Sequence, residues 1–512
     1  MRVKNSLINI SVSVLSQVII ALLGFISRKV FIDNLGVEYL GVNGLLTNVL
    51  TMLSLVEGGI GVSIVYNLYK PLAEDNKEEV IALVQLYKKL YTILAIIILG
   101  LSLVLLPFVP RLIGEGDTIP YLKLVYVLFV IKNIMSYVNA HKWSLISADQ
   151  KEYVITRVNL VFNIITTISK IFILFYTQDY ILYLMAEILI FIIQNLVNGR
   201  IVTKKYPYIK SKEKYRVNKE TERNLIKNVK AIFLHNVGGY CVFGTDNILI
   251  SLFVNIKAVG LYSNYTMIIA QLSSVVGPIL NGVGASIGNL LATEDEDKSY
   301  DIFNVLYFVN FCIYSFCTIC LYNLLEPFIE WWIGNGFLLD STTFIFILIN
   351  FYLTGLRSSI TIFKNKAGIF DQDKFVPIFE AIINLVFSVI LVRYLGLAGI
   401  FIGTTISTIS IPLWNQPRLV YKEVFNRPLS EYFKKYSTYM IFTIVACVLT
   451  RSICNLFIVK QLFINLIWRG IVSSITTILL IYVFFGKSKE FKYIYRLICG
   501  IFKRVLKRKS EG

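Results

Sequence analysis

Charge is scarce in this sequence. Asp, Glu, Lys and Arg together make up 16% of 512 residues, where a soluble chain carries roughly a quarter. Histidine is nearly missing: His141 and His235 are the only two, and neither falls in an H-E-x-x-H arrangement that would hold zinc. A G-x-x-x-x-G-K-[ST] loop is absent, which removes the usual means of binding and hydrolysing a nucleotide triphosphate. Cysteine is sparse, and Cys241, Cys312, Cys317, Cys320, Cys447, Cys454 and Cys499 lie almost wholly in apolar stretches. Cys317 and Cys320 have C-x-x-C spacing, but no second ligand pair accompanies them, so they read as small membrane residues rather than a metal or redox motif. No cofactor, metal or disulfide framework is expected, and no catalytic constellation is visible.

What the chain has is apolar residue: 56% of the total, with a mean hydropathy of +0.67. Apolar runs long enough to cross hydrocarbon, about twenty residues each, recur from end to end. A lone helix satisfies its backbone there and an open sheet does not. The expected fold is therefore all-α and polytopic, with about fourteen transmembrane helices. They are read over 6–30, 40–68, 86–109, 119–140, 154–176, 180–199, 231–254, 260–288, 302–325, 341–363, 375–393, 396–417, 436–457 and 463–485. The stretch from Ser6 to Ser27 follows Arg2 and Lys4 as a signal peptide would, but it is too long and has no small-x-small site, so it reads as the first span.

A net charge of +18 would point to nucleic acid in a soluble protein; here the basic residues sit between spans, and no nucleic-acid partner is expected. With the N-terminus inside, 38 of the 50 Lys and Arg fall in cytoplasmic segments and six (Arg111, Lys123, Lys257, Arg393, Lys460, Arg469) in outer ones. That asymmetry places both termini in the cytoplasm. Trp143, Trp331, Trp332, Trp414 and Trp468 all fall near span ends, as an aromatic belt requires. Outer loops are short, the longest near Pro327 to Asp340, which leaves no room for an external catalytic domain.

An internal repeat is present. Gly41 and Leu72-Ala73-Glu74-Asp75 recur as Gly260 and Leu291-Ala292-Thr293-Glu294 at an offset of 219 residues (41 to 260, 72 to 291). Asp149-Gln150-Lys151 matches Asp371-Gln372-Asp373 at 222. Six spans per half enter from the same side, so the pseudo-axis runs along the membrane normal, as in parallel transporter repeats. The expected organisation is an N-terminal six-helix bundle over 1–200, a cytoplasmic basic linker over 201–230 and a second bundle over 231–417. Two further helices over 418–485 and a basic cytoplasmic tail over 486–512 complete it.

Charge within hydrocarbon costs roughly 2.5–3.5 kcal/mol or more at mid-depth, so each intramembrane charge is a candidate. These are Arg28, Lys29, Glu57, Lys132, Lys170, Glu187, Asp246, Arg357 and Arg451. In the two repeats basic residues outnumber acidic ones, so a shared cleft leans positive and favours an anion such as a diphosphate. Arg28, Lys29, Lys132 and Arg357 are the substrate-binding candidates; Glu57 and Asp246 are candidates for gating or ion coupling. Other readings stand beside these. Arg28 and Lys29 also fit side chains that end the first span and snorkel. Glu57 opens Glu57-Gly58-Gly59-Ile60-Gly61, whose glycines suit close helix packing. Asp246 lies at the repeat position next to Arg28, where a salt bridge fits as a gate or as a stabilising pair. Lys170 and Arg451 also fit side chains that reach the outer interface.

Three stretches carry a resemblance. They are Asn34-Leu35-Gly36-Val37-Glu38-Tyr39-Leu40-Gly41 after Arg28, Leu53-Ser54-Leu55-Val56-Glu57-Gly58-Gly59-Ile60-Gly61, and Tyr69-Lys70-Pro71-Leu72-Ala73-Glu74-Asp75. Together with Asp246 and Val259-Gly260-Leu261-Tyr262 they resemble the polysaccharide transport family, bacterial flippases for O-antigen, capsule or teichoic-acid precursors. That family shares the multidrug/oligosaccharidyl-lipid/polysaccharide exporter superfamily with the lipid II flippase and the multidrug and toxin extruders. The resemblance implies a V-shaped pair of six-helix bundles in the bacterial cytoplasmic membrane, working by alternating access. It implies an undecaprenyl-diphosphate-linked oligosaccharide as substrate, with membrane lipids and the polysaccharide polymerase machinery as partners. It also implies that Arg28, late in the first helix, faces the cavity. A cation-coupled extruder on the same fold is the alternative, and it would need an acidic cleft. A membrane polymerase or acyltransferase would need a long outer loop or a catalytic histidine.

Overall fold

The computed structural model describes residues 2–57, 60–114, 119–211, 244–282, 284–369, 372–457 and 460–497, together with 213, 215, 217, 218, 223, 240 and 499. Every regular element among them is helical. The chain forms two compact units, Met1–Ser263 and Asn264–Gly512.

The first unit contains α1 (Arg2–Leu35), α2 (Val37–Ser54), α3 (Ile60–Ala73), α4 (Lys77–Leu105), α5 (Val109–Ile113), α6 (Leu122–Tyr137), α7 (Ala140–Ala148), α8 (Glu152–Thr177), α9 (Tyr180–Lys205) and α10 (Asp246–Phe253). The first turns of α11 (Ile256–Gly282) complete it, and the division falls inside that helix. The second unit continues α11 and adds α12 (Gly284–Thr293), α13 (Glu296–Ile333), α14 (Ser341–Lys366), α15 (Val376–Leu395), α16 (Leu397–Ser410), α17 (Pro412–Glu423), α18 (Ser430–Leu456) and α19 (Leu462–Phe485).

Short polar residues start several of these helices by accepting the free N–H groups of the first turn. Asn76 accepts from Glu79, Asp179 from Ile181 and Leu182, Asp295 from Lys298, and Asp340 from Thr343. The outer faces differ from those of a soluble protein by being apolar as well. On α1, Leu15, Val18, Leu22 and Ile26 form an outward stripe, each more than half exposed. Their spacing of three to four residues puts them on one helix face, which in a bilayer meets lipid. Polar side chains point inward instead: Ser315 bonds Thr443 at 2.6 Å and Asn323 donates to Thr450 at 2.9 Å, tying α13 to α18. Because lipid tails are as apolar as leucine, such bonds and close packing, not burial from water, hold transmembrane helices together. Stacked rings of Phe311 and Tyr439, 4.0 Å apart, add to the same seam, and α19 packs on both α13 and α18.

Ten described helices are long and apolar enough to span a membrane, or eleven with α6 and α7 counted as one span bent by 44°. The protein is therefore a multi-pass membrane protein. These eleven coincide with eleven of the spans read from sequence. The other three differ for identifiable reasons. Span 40–68 is interrupted: α2 gives way to a tight turn of 3-10 helix, Leu55–Glu57, before α3 resumes at Ile60. Gly58 and Gly59 lie outside the described residues. So do half of 231–254, nearly half of the linker 201–230, His235 and Cys241. Span 260–288 covers α11 and α12, where Pro278 removes a backbone donor from the helix interior.

The repeat has a physical counterpart in the first unit. A Cβ added to Gly41 would collide with the carbonyl oxygen of Ile256, and a Cβ added to Gly260 would collide with the carbonyl oxygen of Val37. Residues 37 and 256, like 41 and 260, are related by the offset of 219, so the two contacts are images of each other. A second pair obeys the same rule. Arg28 donates to Ser263 at 2.9 Å, while Asn247 lies beside Gly44, and the offset maps 28 onto 247 and 44 onto 263.

Candidate functional site

In the first unit α1 packs on α8, α8 on α9, and α9 on α6. The α8–α9 turn is tight, with Gln178 left-handed at φ 52° and Asp179 capping α9. Tyr180, Tyr183 and Glu187 then follow at intervals of three and four residues and share one face of α9. Against that face α8 brings Lys170, α6 brings Lys132, and α1 brings Arg28 and Phe31.

One carboxylate joins the cluster. Glu187 accepts from Lys170 Nζ at 2.5 Å through Oε2 and from Lys132 Nζ through Oε1. Lys170 Nζ also lies 4.3 Å from the ring centre of Tyr183, where the ring face attracts a cation. Arg28 bonds Ser263 and lies within electrostatic range of Tyr183. Phe31 meets Tyr180 and Tyr183 edge-on at 6.0 and 5.3 Å. Lys170 and Glu187 side chains are 16% and 19% exposed, whereas Lys132 is 40% exposed. Two lysines thus share one carboxylate, and Arg28 stands on the far side of Tyr183 from them. Charge withdrawn from water must be paired to be tolerated, and Glu187 neutralises only one lysine. The site keeps an excess of positive charge, and its most open member is Lys132. Such a site can take up an anion.

The remaining candidates are placed elsewhere. Lys29 is half exposed and pairs with Asp33 at 3.6 Å along its own helix, apart from the cluster one residue away. Glu57 ends the 3-10 turn and accepts from Tyr91 at 3.4 Å; Tyr91 in turn lies beside Tyr137 at 6.2 Å. Asp246 is buried at the first turn of α10 and accepts from the Tyr262 hydroxyl. Among the described residues no ion pair joins it to Arg28, because neighbouring residues of α11, Tyr262 and Ser263, take up the two groups separately. Arg357, in the second unit, pairs at 3.6 Å with Glu380, both nearly buried. Arg451 donates to the Tyr322 carbonyl at 3.3 Å. His141 is buried on α7. Among the described residues no group of three His, Cys, Asp or Glu is placed to hold a metal ion.

Two features escaped the sequence reading. Glu380, near the start of its span, was not among the candidate charges; Arg357 in the preceding span was the available hint. Tyr180 and Tyr183 were not among the candidates either, although intervals of three and four put them on one helix face with Glu187.

The sequence signature of the polysaccharide biosynthesis protein family matches residues 6–284, more than half the chain, and takes in the whole cluster. The chain belongs to this family. Solved structures share its fold throughout. "Lipid II flippase MurJ, inward closed conformation" is similar with a TM-score of 0.67 at 14% identity, covering 93% of this chain and 99% of that one. A multidrug resistance MATE family transporter of the MOP superfamily, inward-facing, gives 0.61 at 13%, covering 79% and 98%. A MOP superfamily transporter from Pyrococcus furiosus, described for the reverse polarity of its binding pocket, gives 0.53 at 13%, covering 83% and 95%. No curated protein sequence matches the chain. Membership in the polysaccharide biosynthesis protein family and the shared fold make this a flippase-like transporter fold. In such a protein a buried cluster that is net positive is the natural place to look for the substrate.

Proposed function

We propose that this protein flips an undecaprenyl-diphosphate-linked oligosaccharide across the bacterial cytoplasmic membrane, by alternating access and without ATP hydrolysis. The observation that carries the reading is the pair Lys132 and Lys170 on the single carboxylate of Glu187, with Arg28 beside Tyr183 at the same site. A diphosphate is the anion suited to it: an arginine fork binds phosphate oxygens two at a time, and an ammonium serves as a point charge beside it. Lys132, the most open member, is the first to meet the head group and exchanges one Glu187 oxygen for a phosphate oxygen. Both termini lie in the cytoplasm on this reading, and the substrate is a precursor of O-antigen, capsule or teichoic acid. Outward movement of negative charge against an inside-negative potential is favourable by about 2.3 kcal/mol per charge per 100 mV. The drive therefore needs no nucleotide.

The test is transport of a fluorescent undecaprenyl-diphosphate oligosaccharide in proteoliposomes. Wild type is expected to flip it, and Arg28→Ala and Lys132→Ala each to slow flipping by about tenfold or more. That is the scale of losing one hydrogen bond to a charged group, about 1.5–3 kcal/mol. Wild-type liposomes that leave this lipid in place but expel cationic dyes would overturn the proposal in favour of an extruder.

A further inference from the structure

Around the α7–α8 turn, and beginning one helical turn from the charge cluster at Ser136 and Phe191, lies a cavity of about 420 Å³. That volume falls in the range of roughly 300–1,000 Å³ usual for small-molecule sites. Its wall is a group of side-chain amides. Asn159 Oδ1 accepts from both Gln194 Nε2 and Asn198 Nδ2 at 2.7 Å. Asn198 Oδ1 has no hydrogen-bond partner among the described residues, although Asn198 is only 4% exposed. Turning that amide end for end would still leave one of its two atoms unmet. A buried polar atom without a partner is costly and rare. Trp143 and Phe191 supply apolar walls, and among the described residues Glu152 is the only charged one lining the space.

This set of groups selects a ligand class. With no Lys or Arg among the described lining residues, the cavity offers a phosphate or carboxylate no positive charge. Amide oxygens and nitrogens at adjacent positions match hydroxyls, each of which donates one bond and accepts others. Aromatic faces match the C–H face of a ring. We infer that the cavity is a subsite for one neutral pyranose unit, held by Asn159, Gln194 and Asn198 and stacked against Trp143. The inference rests on the reading of the substrate as a saccharide lipid, since it places a sugar of that lipid here. This end of the unit is flanked by Lys142, Lys151 and Lys204, the end that the basic residues assign to the cytoplasm. A substrate assembled inside the cell arrives there first.

Binding is measured with the full chain in nanodiscs by fluorescence anisotropy, using undecaprenyl-diphosphate with and without a single N-acetylglucosamine. Wild type is expected to bind the sugar-bearing lipid about tenfold more tightly than the bare one, about the value of one or two neutral hydrogen bonds. Trp143→Leu and Gln194→Leu, neither at a fully buried position, are expected to erase that ratio and leave affinity for the bare lipid unchanged. A wild type with no preference, variants that keep it, or variants that lose both lipids equally would overturn the subsite. Binding is read without transport, so a chain that flips neither lipid fails as a flippase while the subsite is still decided. Competition by a glucosyl-diacylglycerol that depends on the same two residues would keep the pyranose site and assign it to a resident glycolipid. Lack of such competition assigns it to the substrate.

Discussion

Replacing Glu187 by Gln is expected to lower the unfolding midpoint of the detergent-solubilised protein by about 10 °C, at about 2–4 °C per kcal/mol for a unit of this size. The substitution removes the one carboxylate that two lysines share. Breaking a buried ion pair from one side costs about 3–5 kcal/mol, because the other charge stays behind unpaired. Lys170 and Glu187 are each under 20% exposed, so the lower end of that range applies. Lys132, 40% exposed, reaches water and adds little of its own. Lys170→Gln removes one of the two cations and leaves Glu187 paired with Lys132, so its loss of stability is expected to be clearly smaller. A sharper expectation follows from the proposed exchange of partners. A diphosphate lipid offers the lysines a new anion, and anything that binds only the folded state raises its stability. Added lipid should therefore restore more of the midpoint in Glu187→Gln than it adds to wild type. A Glu187→Gln protein as stable as wild type would mean the two lysines do not depend on that carboxylate. Equal stabilisation of both by the lipid would mean that the anion binds elsewhere.

The sequence placed the individual charges at their depths but not their partners. Lys170 fitted a residue reaching for the outer interface, and the structure turns it inward onto Glu187. The difference lies in helix rotation: α8 packs on both α1 and α9, and depth along a span says nothing about which way a side chain faces. Lys29 and Arg28 make the same point, since adjacent residues on a helix diverge by about 100°, enough to send one into the cluster and the other out to Asp33. The break in the second span was hinted at by Gly58-Gly59, but glycine there fits close packing as well as interruption. Position along the chain was more legible where a fixed period carries it. The offset of 219, found as a pattern of letters, relates the Gly41–Ile256 and Gly260–Val37 contacts atom for atom.

That pairing leads to the second large effect. Gly41→Leu is expected to cut transport by about ten- to a hundredfold, and Gly260→Leu by a similar amount. At both positions the helix backbones touch, and any Cβ meets a carbonyl oxygen of the facing helix. Forcing extra atoms into so close a crossing costs about 1–3 kcal/mol, which shifts a two-state equilibrium by about 5- to 150-fold. The crossing joins the opening turns of α2 and α11, which are the same segment in the two copies of the repeat. On the proposed alternating-access function, this crossing forms in one state and parts in the other, so the substitutions act on the state in which it is closed. Because the contacts are images of each other, the first leucine already holds the helices apart and the second has little left to separate. The double variant is therefore expected to lose little beyond either single one, in contrast to the additivity of independent sites. Transport in proteoliposomes, normalised to folded protein in the membrane, gives the comparison. Additive losses would mean two unrelated packing defects rather than one shared closure, and unimpaired transport by Gly41→Leu would mean that the crossing never has to close.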